Sequence, residues 1–256
     1  MLSRTVPHQV AQHLRAEAGF GCAVCGCPIL EYHHIIPWAE HKHYDVDHMV
    51  ALCRNHHQEL GKQRKDVSYA VKRAPFNIRR KRFKGYLVTN KESQALVLGN
   101  TRFVGFTHAV SYYGVPLFGH QIVESEIRLS CFIPNKDFFP EVEVVGNNLS
   151  AMTDDFWDIE FKSNYVKFRR RKGEVFLEID FRGDDAKIKG RFEIEGREYK
   201  FSPSRCDFGG PRIESLTLQG NPGQTAIGHG QNGIRLLRPN YAMRVPRVTY
   251  IQRYPF

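Results

Sequence analysis

Cys22-Ala23-Val24-Cys25, Glu31-Tyr32-His33-His34-Ile35-Ile36-Pro37 and Asp47-His48-Met49-Val50-Ala51-Leu52-Cys53-Arg54-Asn55-His56-His57 follow one another within residues 22–57 of a 256-residue chain. Two sets of metal-type ligands interleave there. Cys22-x-x-Cys25 and Cys53-x-x-His56 offer one thiolate pair and one thiolate–imidazole pair, the four N/S ligands of a closed tetrahedral zinc site. A two-residue spacer lets both side chains of a pair converge on one ion. The plain alternative is a set of buried thiols beside an incidental histidine, yet two matched pairs flanking a His-His segment are far rarer than a lone CxxC. Cys27 is a spare thiol that could replace Cys25 in a distorted knuckle. A structural Zn2+ would hold together a module too small to fold on its own core.

The surrounding pattern predicts the local folding. Residues 7–18 read as a helix with Pro7 near its first turn and Gly19 ending it, Val10 and Leu14 sharing one face. Gly21 to Pro28 is a tight knuckle, Leu30 to Ile36 a short strand closed by Pro37, and 40–47 a polar loop. Residues 49–52 suit a second short strand, and Cys53 to about Arg64 suits a helix, with another around Val67 to Arg73. The sum is strand, loop, strand and helix behind a cysteine knuckle.

With the zinc ligands assigned, His33, His34, His48 and His57 remain. Neighbours on a strand point to opposite faces, so one of His33 and His34 could bind a metal while the other faces water or a phosphate. His57 sits on a different helix face from His56 and could reach back to the strand. That arrangement suits one divalent cation held by about two protein groups. A further imidazole nearby could serve as general base near neutral pH. Without the surrounding frame, each of these would read as an incidental polar residue. His8, His13, His41 and His43 read as solvated, and His108, His120 and His229 as packing or turn residues.

Taken together, Cys22-x-x-Cys25-Gly26, Glu31 to Pro37, Asp47 to Cys53 and Asn55-His56-His57 resemble the HNH endonuclease family of ββα-metal nucleases. The resemblance covers about residues 5–65, a quarter of the chain. It implies that His33 is a ligand of the catalytic ion, Mg2+ or Mn2+, that His34 is the general base, and that His57 is a second ligand. The chain departs from the family at His48, which aligns with an Asn that pins the turn between the strands. His48 could hold the loop through one ring nitrogen or add a metal ligand, and the structural role is the favoured reading. The fold class expected is α+β: a zinc-stabilised HNH module over 1–70, a basic linker over 71–84, and a β-rich domain over 85–256.

Charge points the same way. The formal net charge is +10, and residues 1–84 hold 14 Lys and Arg against 7 Asp and Glu. Much of the excess lies in Lys72-Arg73 and Arg79-Arg80-Lys81-Arg82-Phe83-Lys84. Arg54, Arg79, Arg80, Lys81, Arg82 and Lys84 are therefore the candidate nucleic-acid contacts, with a solvated basic linker as the bland alternative. DNA is the expected partner; RNA cleavage by the same site, or an inactive zinc module that only binds, are the competing readings.

Beyond the basic run, alternating apolar and polar residues predict strands near 86–88, 95–98, 102–106, 126–133, 141–145, 157–161, 165–168, 175–181 and 187–194. This is a mostly antiparallel sandwich or barrel-like domain for recognition, regulation or homodimerisation, its regulatory partner unknown. Asp154, Asp155 and Asp158 read as turn residues, Arg169-Arg170-Arg171-Lys172 as a basic hairpin tip, and Cys131 and Cys206 as small core residues. No apolar run could span a bilayer, and Met1 to Pro7 lacks the apolar stretch of a signal peptide. The expected location is the cytoplasm, where thiols stay reduced.

Overall fold

A computed structural model describes residues 5–89, 95–210, 212–213, 216–230 and 233–236. The N-terminal part comprises α1 (His8–Glu17), β1 (Glu31–His34), β2 (Met49–Leu52), α2 (Arg54–Leu60), α3 (Lys65–Arg73) and α4 (Phe76–Arg80), and β3 (Arg82–Tyr86) follows. Pro7 caps α1 and Gly19 follows it in the left-handed region (φ 65°). β1 and β2 form an antiparallel ribbon with His33 opposite Val50 and His34 opposite Met49. α2 is shorter than its composition suggested, stopping at Leu60 before Gly61.

The apolar clusters here are small. One joins Cys22, Ala23, Ile35, Val50, Leu52, Cys53 and Leu60; the other joins Leu14, Ala18, Met49 and Ala51. Two zinc-type cysteines belong to the first cluster, so thiol burial and metal binding support the same few residues.

Residues 71–84, expected as a linker, instead run through the end of α3, all of α4 and the start of β3. The physical reason lies in three glycines, Gly19, Gly21 and Gly26, at each of which a Cβ would crowd Asn77. Asn77, buried on α4, donates from Nδ2 to the Gly19 carbonyl at 2.9 Å. A Cβ on Gly26 (φ 76°) would lie 2.4 Å from Asn77 Oδ1 and 2.8 Å from the Phe76 ring. The backbone N–H of Phe76 also donates to Ala23 O at 2.9 Å. α4 thus seats on the knuckle because glycines leave room for it.

The β region contains β4 (Ala95–Leu98), β5 (Thr101–Val104), β6 (His108–Tyr112), β7 (Val115–Val123), β8 (Glu126–Pro134), β9 (Pro140–Val145) and β10 (Asn148–Met152). After these come β11 (Asp158–Lys162), β12 (Tyr165–Arg171), β13 (Glu174–Asp180), β14 (Ala186–Ile194) and β15 (Arg197–Phe201). The last are β16 (Cys206–Phe208), β17 (Arg212–Ile213), β18 (Thr217–Gln219), β19 (Thr225–Gly230) and β20 (Gly233–Leu236).

One sheet has the order β20-β19-β6-β7-β8-β9-β10-β3, and the other runs β11 to β17 with β4, β5 and β18 attached. Pairing is antiparallel except for β4 with β14, β5 with β18, and β6 with β19. The sheets share one core: Phe118 on β7 meets Phe192 on β14 and Phe201 on β15 at ring distances of 5.9 and 5.3 Å. The barrel-like alternative does not hold, since neither sheet closes on itself among the described residues. Cys131 and Cys206 are buried, as expected of small core residues. The apolar-aromatic end Val248–Phe256 lies outside the described residues.

α1 fastens the module to this domain. Arg15 donates from Nε and Nη2 to the two carboxylate oxygens of Asp158, both at 3.0 Å, and from Nη1 to the Tyr32 hydroxyl at 2.9 Å. Arg169 adds a third bond to Asp158 at 3.0 Å, and Gln12 donates to Trp157 O at 2.7 Å. Asp158 is fully buried, so the turn-residue expectation is corrected: a carboxylate is kept out of water by two guanidinium partners. The Arg169–Lys172 tip is largely neutralised as well, Arg170 by Glu141 at 2.8 Å and Arg171 by Glu174.

Candidate metal centre

The ligand atoms of Cys22, Cys25, Cys53 and His56 all lie within 4.8 Å of one another. Cys25 Sγ is 3.9 Å from Cys53 Sγ, while His56 Nδ1 is 3.5 Å from Cys22 Sγ and 3.2 Å from Cys53 Sγ. Tetrahedral zinc bonds of about 2.3 Å to sulfur and ~2.0 Å to nitrogen require edges of roughly 3.5–3.8 Å, so the donor set fits zinc in number, type and size. Cys53 caps the N-terminus of α2, and His56 follows one turn on, which sets that pair. Burial, followed by the neighbouring Cys22 and Cys53 thiols, pushes the Cys25 thiol up to about 12. Cys27 stands aside, its Sγ 3.9 Å from Ile29 O.

The histidines lie across the ribbon. His33 and His57 meet edge to face with ring centroids 5.1 Å apart, and His57 Nδ1 is 2.6 Å from Glu31 Oε2. Burial, followed by the positive charges that His57 and His34 would carry, lowers His33 to about 4. His33 is thus a neutral imidazole across the physiological range. On the opposite face, His34 packs against Trp38 (5.2 Å) and His43 (5.1 Å), and its Nε2 lies 3.2 Å from the His43 carbonyl oxygen. His48 Nδ1 meets the Tyr69 hydroxyl at 2.7 Å, which ties the start of β2 to α3.

HNH endonuclease is the family that matches, over residues 22–63. These residues form an HNH-like ββα module with a zinc-type knuckle of three cysteines and one histidine. No curated protein and no solved structure matches the chain significantly. The match to the HNH-like module supports nucleic-acid interaction in general terms, and the β domain lies outside it. Among the described residues, no helix is long and apolar enough to cross a membrane.

Within the HNH-like module, the sequence reading placed the four knuckle residues together and set His33 beside His57. It missed two partners. Glu31 stands two residues before His33, which puts both on one face of β1 and brings its carboxylate to His57. His43 was read as solvated and is 6% exposed; its loop neighbours are polar, and no local pattern announces that its ring turns inward.

The basic candidates divide. Arg54, Arg79, Arg80, Lys81 and Lys84 are exposed, with Arg80 lying over the Phe76 ring at 4.3 Å. Lys81 Nζ is 3.6 Å from Asp154, and Arg82 donates to Ser150 Oγ at 2.8 Å. Lys72 is paired with Glu17.

Proposed function

We propose that the HNH-like module is a metal-dependent endonuclease that hydrolyses DNA phosphodiester bonds. The observation that carries this reading is the setting of His34. A carbonyl oxygen only accepts, so the bond to His43 O places the neutral imidazole's proton on Nε2 and makes Nδ1 the basic nitrogen. His34 would take the proton of the attacking water at Nδ1, and the His43 carbonyl would steady the resulting imidazolium through Nε2–H.

His33 and His57 are the residues that would hold a divalent ion. Both fit: His33 is neutral, and Glu31 accepts the Nδ1 proton of His57, leaving Nε2 as its ligand atom. When bound, Mg2+ or Mn2+ supplies Lewis-acid stabilisation of the scissile phosphate and the leaving 3′ oxygen. Arg54, Arg79, Arg80 and Lys84 are exposed and would grip the phosphate backbone, with Lys81 and Arg82 held more firmly by the β domain. Pairing of two chains through the β domain would bring two modules to opposite strands.

Nicking of supercoiled plasmid in Mg2+ or Mn2+ tests the reading. Wild type should nick, and His34→Ala should bind DNA with similar affinity but cut at least 100-fold more slowly. Equal binding with no cutting by either protein would leave only a binding module, and cleavage of RNA alone would make the enzyme a ribonuclease.

A further inference from the structure

We propose that His43 is a positioning residue for His34, taking over the loop-pinning role that the family's motif assigns to the Asn replaced here by His48. The inference rests on the nuclease reading for its consequence but on local geometry for its content. The loop joining β1 to β2 must hold its shape for the His43 carbonyl to face His34. His43 holds that loop from both sides: its Nε2 donates to Ile36 O at 3.0 Å, and its Nδ1 accepts from the Asp45 backbone N–H at 3.2 Å. These two bonds fix the His43 tautomer, because one ring nitrogen must carry the proton and the other must not. Both nitrogens are thereby engaged by backbone, and the residue is buried.

His48 does not do this work. Its Nδ1 is engaged by the Tyr69 hydroxyl at 2.7 Å, and its Nε2 lies 3.9 Å from the Asp45 carboxylate. An Asn amide can donate and accept at once through one short group, whereas an imidazole at position 48 spends its ring on α3. The two-handed contact reappears at position 43. There the imidazole's opposed nitrogens span from Ile36 to Asp45, and the residue's own carbonyl meets the His34 ring. One residue therefore shapes the loop and supplies the acceptor that sets the proton on His34.

The test uses the full-length, zinc-loaded protein with 15N-labelled histidine. His43→Phe retains a ring but removes both hydrogen bonds, and His43→Gln retains a group able to donate and accept. In wild type without other divalent ions, the His34 imidazole should show the single-tautomer pattern with Nε2 protonated, the resonance being assigned by its loss in His34→Gln. His43→Phe should shift that resonance towards averaged tautomers and lower plasmid-nicking kcat at least 10-fold, with KM within about 2-fold. His43→Gln should restore much of both. A zinc-loaded, folded His43→Phe whose His34 keeps the wild-type tautomer pattern overturns the proposal. If wild type fails to nick yet His43→Phe still alters the His34 tautomer, the nuclease reading falls and the positioning role stands.

Discussion

Replacing Asp158 with alanine should destabilise the chain strongly, although the residue lies in the β domain and belongs to no ligand set. Its carboxylate is fully buried and accepts three hydrogen bonds at 3.0 Å, two from Arg15 and one from Arg169. The two arginine side chains are only 12% and 16% exposed, so removing the carboxylate strands two cations largely away from water. Breaking such a pair from one side costs about 3–5 kcal/mol. Glu160 remains 2.6 Å from Arg169, which places the expectation near the lower end, ~3 kcal/mol.

Urea unfolding of the zinc-loaded protein, followed by fluorescence of the neighbouring Trp157, measures the loss. A double-mutant cycle with Arg15→Met isolates the contact and should return a coupling of about 2 kcal/mol. Loss of less than about 1 kcal/mol, or additivity of the two variants within ~0.5 kcal/mol, would refute the view that this ion cluster fastens α1 to the sheet.

Cys22→Ser should reduce bound zinc from about one ion per chain to none and melt the HNH-like module while the β domain keeps its circular dichroism, because the module's own clusters are small. Glu31→Gln should weaken Mn2+ binding by about 10–100-fold, read by electron paramagnetic resonance, with zinc content unchanged; unaltered Mn2+ affinity would remove Glu31 from the role given it. Gly26→Ala should loosen α4 and lower the melting temperature, since its Cβ would meet Asn77 Oδ1 at 2.4 Å in a left-handed backbone. His33 adds a pH dependence of definite sign. Its folded-state value of about 4 lies below the ordinary ~6.5, so the unfolded chain binds the extra proton first. Stability should therefore rise with pH between about 4 and 6.5 and lose part of that slope in His33→Asn; equal slopes in the two proteins would contradict the assignment.

Much of the HNH-like module was legible in one dimension. Ligand spacing within Cys22-x-x-Cys25 and Cys53-x-x-His56 is short-range, so local backbone geometry alone makes each pair converge. Alternation along β1 likewise separates His33 from His34. Most strands from 126 to 194 could be read from their period-two patterns, but β3, β6, β7, β10 and β15 to β20 were not. In β7 a run of four buried residues, Leu117 to His120, breaks the alternation on which strand reading depends.

Sequence by itself determined the zinc-type ligand set, the ββα order, the strand-rich remainder and the position of the basic run. Tertiary structure decided what surrounds them. It made the basic run part of the knuckle through Asn77 and its glycine cradle, turned Asp158 from a turn residue into a buried anchor, and brought His43 and Glu31 to His34 and His57. The division has one physical cause. Spacing encodes contacts made within a turn or along a strand, whereas the fate of an Asp, an Asn or a loop His depends on which hydrogen-bond partner the folded chain brings to replace water.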